Sequence, residues 1–100
     1  MTLVVILTVR PEALAAFRAF EHAAARIMAR HGGAIERAVT IAPSRPGGPL
    51  KEVHIVTFPS PEAFAAYRAD PALKALAPQR DASILTTEVL VGEDWPVYGG

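Results

Sequence analysis

Two stretches of this chain follow one plan: a β-branched run, an amphipathic helix, then a second β-branched run. That doubling constrains the fold more than any single motif. In the first half, Leu3 to Val9 is short and β-branched and reads as a strand. Pro11 stands where a first helical turn accepts proline. Over residues 12 to 31, Leu14, Phe17, Phe20, Ala24, Ile27 and Met28 recur at helical spacing, with Arg18, His22, Arg26 and Arg30 opposite. His31-Gly32-Gly33 ends that helix, with glycine supplying a left-handed cap, and Ala34 to Ile41 forms the next strand. The turn-forming segment Pro43 to Pro49 is a loop.

The second half repeats the plan. Glu52 to Phe58 is a strand, Ser60 is placed as an N-cap, and Pro61 opens a helix that buries Phe64 and Tyr67. The helix breaks at Asp70-Pro71, a turn or short helix carries Leu73 and Leu76, and Ile84 to Val91 is the last strand. The order β-α-β-β-α-β with right-handed crossovers predicts an α+β fold of the ferredoxin-like type. It has a four-stranded antiparallel sheet in the order 4-1-3-2, with both helices on one face. The domain is expected to span residues 1–92, with residues 93–100 as a tail carrying Trp95 and Tyr98.

Alternation along the strands assigns faces. Leu3, Val5, Leu7 and Val9 are expected under the helices with Ile35, Val39, Ile41, Val53, Ile55, Leu85, Val89 and Val91. The opposite face then carries Val4, Ile6, Thr8, Ala34, Glu36, Ala38, Thr40, Glu52, His54, Val56, Phe58, Ile84, Thr86, Glu88 and Leu90. That face is too apolar to stay wet and too polar for an ordinary core. A second sheet laid against it would cover the apolar groups and leave the polar ones lining a cavity, so a homodimer is expected. The tail is expected to lie on the partner or across the cavity mouth, because aromatic residues serve as contact anchors.

Composition narrows the function. One hundred residues make one domain. Formal net charge is zero with no block of like charge, which argues against nucleic acid and against electrostatic membrane attachment. There is no cysteine, which removes disulfides, zinc–thiolate sites and thiol nucleophiles. The apolar opening run has no basic residue before it and no small-residue cleavage site after it. A soluble, unprocessed cytoplasmic protein is the expectation. No ligand-like spacing of histidines and carboxylates calls for a metal, no motif calls for a cofactor, and Gly47-Gly48 precedes no helix that could bind phosphate.

The segment Phe58-Pro-Ser-Pro-Glu-Ala-Phe-Ala-Ala-Tyr67, with Asp70-Pro71, Leu73-Lys74, Pro78 and Arg80, resembles an uncharacterised bacterial family. That family lies in the dimeric α+β barrel superfamily, related to antibiotic biosynthesis monooxygenase-like proteins. The spacing matches over residues 58 to 80. Tyr67 replaces a usual Trp, Asp70 a Ser, Leu73 a Tyr, and Thr57 stands where an acidic residue is frequent. The resemblance implies a homodimer whose sheets face each other. The superfamily includes cofactor-free monooxygenases, lactone isomerases, haem enzymes and proteins with no known activity, so fold analogy leaves function open.

On the mixed face His54 is the candidate catalytic base, because a neutral imidazole with a pKa of about 6.5 can take a proton near neutrality. Thr8, Glu36, Thr86 and Glu88 share that face and would orient a small apolar or aromatic ligand, with Phe58 as an apolar wall. Tyr67 and Arg80 match the family pattern, Tyr67 at the cavity rim and Arg80 as an anion contact or a partner of Asp81 or Asp70. The competing reading is a non-catalytic dimeric module in which these residues serve packing. The side chain of His54 is expected to point away from the helices; a one-residue shift of the third strand would bury it against Phe17 and Phe64 as a core histidine, and an imidazole packed beneath the helices would drop out as a candidate.

Overall fold

In a computed structural model that describes residues 1–99, the predicted element order is present. Strand β1 (Thr2–Val9) leads through a 3-10 turn at Pro11–Ala13 into helix α1 (Leu14–Arg30). Strands β2 (Ala34–Ile41) and β3 (Leu50–Thr57) follow, then helix α2 (Pro61–Ala69). Two short helices, α3 (Pro71–Lys74) and α4 (Ala77–Ser83), precede strand β4 (Ile84–Gly92). The sheet is antiparallel in the order β2-β3-β1-β4, as the right-handed crossovers require. The fold is ferredoxin-like α+β. Two helices, α3 and α4, stand where the sequence pattern suggests one turn or short helix. Asp70 caps α3 by accepting from the Ala72 amide at 2.9 Å, and Ser60 caps α2 by accepting from the Ala63 amide at 3.1 Å.

Helix α1 buries Phe17, Phe20, Ala24, Ile27 and Met28, the stripe its periodicity predicts. Its end is fixed by Gly32 at φ +75°, where L side chains are strained. Gly33 matters for a different reason: a Cβ there would collide with the ring of Phe58 and with Met28.

The face assignment of β3 is corrected by the register. Leu3 pairs with Val56, Val5 with His54 and Leu7 with Glu52, so Glu52, His54, Val56 and Phe58 point under the helices. Val53 and Ile55 point to the open face. The physical reason is Phe58. It is only 3% exposed, and its ring packs on Phe64 and Tyr67 with centroids 5.3 and 5.5 Å away. Burying a phenyl ring is worth about 1.5–3 kcal/mol, and the two-residue period then carries every second residue of β3 inward with it.

Two bulges shift further residues. Glu36 is unpaired between Ile35 and Arg37, which turns Val39 and Ile41 to the open face and Ala38 and Thr40 inward. Leu85 is skipped between Thr86 and Ile84 in the pairing with β1, so Ile84 enters the core and Leu85 is left exposed. The open face of this chain therefore carries Val4, Ile6, Val39, Ile41, Val53, Ile55 and Leu90, with Val39, Ile41 and Leu90 44%, 46% and 47% exposed. Beyond β4, Thr2 donates to the Asp94 carboxylate at 3.3 Å, and Trp95 and Tyr98 are exposed. No helix among the described residues is long and apolar enough to cross a membrane.

Candidate active site

The turn of β3 toward the helices places His54 in the most chemically loaded part of the molecule. It lies beneath α1 and is only 3% exposed. Nε2 lies 2.7 Å from Glu52 Oε1, and Nδ1 lies 3.9 Å from Glu21 Oε2 on α1. A carboxylate accepts only, so the short bond puts a proton on Nε2 and fixes the tautomer and the ring plane. The Nδ1 contact is too long for a hydrogen bond, so that nitrogen keeps its lone pair when the ring is neutral. Glu52 is held in turn by Thr40, whose hydroxyl donates to Oε2 at 3.2 Å. The chain Thr40–Glu52–His54 is thus ordered from a strand at the sheet edge to the space under the helices.

Glu21 completes the group from above. Burial raises its pKa above the ordinary 4.5; a charged His54 opposes that rise and the Glu52 charge adds to it. Two carboxylates therefore flank one imidazole, with one of them pushed toward the neutral form.

The space under the helices is not a filled core. A cavity of about 220 Å³ lies between the sheet and the helices. Val56, Met28, Phe58 and Phe64 form apolar walls, and Glu21 and His54 form a polar patch. Tyr67 also lines it; its hydroxyl is pushed up to about 12, first by burial and then by the Glu21 charge, so it remains a proton-bearing donor at neutral pH. A second cavity of about 220 Å³ lies across the same pair, reached from the side of Arg18 and His22, and Glu21 and His54 border both. Among the described residues no group of three or more metal-ligating side chains forms.

The structure divides the residues singled out from sequence. His54, Phe58 and Tyr67 meet at the cavity under the helices. Thr8, Thr86 and Glu88 lie on the opposite, open face, where Thr8 pairs with Thr86 and Glu88 with Ile6. Glu36 sits at its bulge, accepting from the Thr57 hydroxyl at 2.8 Å. Arg80 stands on α4, exposed, its Nε 3.2 Å from Asp81 Oδ1. The expected position of His54 between two facing sheets is thus corrected. The imidazole is packed beneath the helices, the placement that on the face argument alone removes His54 as a catalytic candidate; what returns it to consideration is that it borders the two cavities.

Two partners of His54, Glu21 and Glu52, are not among the residues singled out from sequence. Glu21 has a signal: it falls four residues after Phe17 and three before Ala24, a lone carboxylate inside the apolar stripe of α1. Glu52 has none apart from the face of β3. Away from the cavity, His31 Nε2 lies 2.8 Å from Asp70 Oδ2, tying the end of α1 to the α2–α3 junction. That bond holds the Asp70 carboxyl below its ordinary value, helped by the Ala72 amide.

No protein-family model and no curated protein matches the chain. Solved structures do. The cofactor-independent oxygenase SnoaB from Streptomyces nogalater superposes with a TM-score of 0.67 at 20% identity, over 99% of this chain and 96% of that one. A protein of unknown function from Rhodopseudomonas palustris gives 0.75 at 18% identity, over 95% and 83%. A structure described as an antibiotic biosynthesis monooxygenase gives 0.65 at 12% identity, over 95% and 98%. At these identities the likeness is one of fold: the chain is an α+β protein of the same architecture as antibiotic biosynthesis monooxygenase-like proteins.

Proposed function

We propose that this chain is a small-molecule enzyme that moves a proton on a largely apolar, ring-bearing substrate held between the sheet and the helices. The observation that carries this reading is His54. It is buried, oriented by Glu52 at 2.7 Å, and borders an apolar cavity. Neutral His54 would take a proton at Nδ1 from an acidified C–H or O–H of the substrate, and the electron pair would stay on the substrate as an enolate or phenolate. Glu52 stabilises the imidazolium that results, as a carboxylate behind an imidazole does in acyl transfer. Return of the proton to another atom isomerises the substrate; in an oxygenation the deprotonated carbon would instead bond to molecular oxygen, the co-reactant, as a peroxide that takes the proton back from His54 and loses water, leaving a carbonyl. The cofactor-independent oxygenase among the neighbours is consistent with the second outcome.

The second reading is a non-catalytic dimeric module, favoured by the apolar open face. The two readings share a dimer, in which the open face meets the same face of a second copy and the exposed tail residues 93–99 reach the partner. They separate at His54. Deuterium exchange at the acidified C–H of 2-indanone, followed by NMR, reads proton abstraction directly. The enzyme reading expects exchange above the buffer rate that falls about a hundredfold or more in His54→Asn, with the fold and melting temperature preserved. Exchange equal in wild type and variant defeats it, as does a variant that only loses stability.

A further inference from the structure

We propose that the cavity selects molecules that join a ring-sized apolar body to one acidic group, and that Arg68 receives the acid at the cavity mouth. The inference rests on the reading of this cavity as the substrate site and names the class of substrate.

Arg68, on α2, is the only arginine or lysine among the described residues that line the cavity. It is exposed, as are Thr87 and Val89 on the edge strand β4, so these residues mark the opening. Its guanidinium lies 5.5 Å from the centre of the Phe64 ring, itself a wall of the cavity. A cation–π contact of that kind parks the charge against the ring face. The ion pairs among the described residues are His31–Asp70, His54–Glu21, His54–Glu52 and Arg80–Asp81, and Arg68 is in none of them. A planar guanidinium with five donors is suited to a carboxylate, which it can grip through two of them.

The inner end of the cavity gives the opposite instruction. Glu21 lines it, Glu52 stands behind His54, and an anion would be repelled there whenever either is ionised. An acidic molecule is therefore oriented with its acid outward and its carbon framework toward His54 Nδ1. The walls between these ends are apolar and aromatic, and a cavity of about 150 Å³ already holds benzene. At about 220 Å³, this one suits one or two fused rings.

The test uses matched probes, 2-naphthoate and its neutral amide 2-naphthamide, titrated into the full chain with methyl NMR of Met28, which lines the cavity. Wild type should shift the Met28 methyl with both probes and bind the acid about tenfold or more tightly, the range of one charge-assisted hydrogen-bond pair. In Arg68→Gln the acid should fall to the affinity of the amide while the amide is unchanged, and Arg68→Lys should keep part of the preference. Equal binding of acid and amide by wild type, or a preference that survives Arg68→Gln, overturns the role of Arg68 and leaves the cavity reading standing. Failure of both probes, or binding that leaves the Met28 methyl unmoved, overturns the two together.

Discussion

Each face of the one sheet departs from the usual arrangement. The face covered by helices carries the buried polar groups, Glu52 and His54. The face left open carries a row of β-branched and leucine side chains, among them Val39, Ile41 and Leu90. A buried carboxylate or imidazole costs free energy unless it is bonded, and an exposed apolar sheet costs free energy unless it is covered. The first cost is met inside the chain, where Glu52 bonds the His54 ring and Thr40 bonds Glu52. The second is not met inside the chain at all. The covered face thus points to chemistry, and the open face to a second copy of the same surface.

The largest expected effect tests the open face. Val4 lies on the central strand β1 between Ile55 and Leu90, in the middle of the apolar row. Val4→Asp would bring two charges into a two-fold interface, each without a partner, and breaking a buried site in this way costs about 3–5 kcal/mol per charge. Light scattering should report twice the chain mass for wild type and the single chain mass for the variant, with the circular dichroism of a folded chain. A wild type that runs as a monomer would break the comparison at its root.

A smaller effect tests the covered face. Phe58 is 3% exposed and sets the orientation of β3. Phe58→Ala removes the ring that drives Glu52 and His54 inward and leaves a hole beside Gly33. It should lower stability by about 3–5 kcal/mol in urea unfolding. Val53→Ala, on the same strand but the open face, should cost far less in any dissociated, monomeric form. Equal losses in that form would mean that the two faces do not differ as described.

That strand also shows how far the sequence can be read. Element order, strand order and the buried stripe of α1 follow from periodicity and turn chemistry, because each rests on several residues that agree. The faces of β3, of β2 beyond Ile35, and of Ile84 and Leu85 in β4 do not follow, while Val89 and Val91 lie on the helix side and Thr86, Glu88 and Leu90 on the open side as expected. In β3 both sets contain good strand residues, Val53 and Ile55 against Val56 and Phe58, and a count of apolar residues favours the wrong one when a carboxylate and a histidine are assumed to avoid the core. Gly33 holds the deciding information, since the space it leaves is filled by the Phe58 ring, but that contact is made across the fold. In β2 the bulged Glu36 reverses the faces from Arg37 onward, and in β4 the skipped Leu85 moves Ile84 into the core. Bulges leave no mark in alternation until the pairing partner is known. The site inherits the same error: His54 is visible as a residue type, while its partners Glu21 and Glu52 become visible only once β3 is turned.

The smallest effect sharpens the polar half of the comparison, through Glu21. Its carboxyl is raised above 4.5 chiefly by burial, so the folded chain holds that proton more tightly than the unfolded chain does. By linkage, stability falls as pH rises wherever the folded state binds more protons than the unfolded state. The contribution of Glu21 is then fully present below 4.5 and is lost as pH climbs through the raised folded value. Above that value the folded chain carries a buried charge that the unfolded chain would leave in water. Glu21→Gln keeps the shape and a hydrogen-bonding end without the charge. It should melt higher than wild type at pH 8 and converge on it as the pH falls below 4.5. The convergence separates this mechanism from better packing, which would raise the melting temperature by a similar amount at every pH. A protonated His54 opposes the rise, so the same comparison repeated in a His54→Gln background should show a wider gap at pH 6 between the chain that keeps Glu21 and the one that also carries Glu21→Gln. If the gap is unchanged, Glu21 and His54 are neighbours in distance only, and the imidazole answers to Glu52 alone.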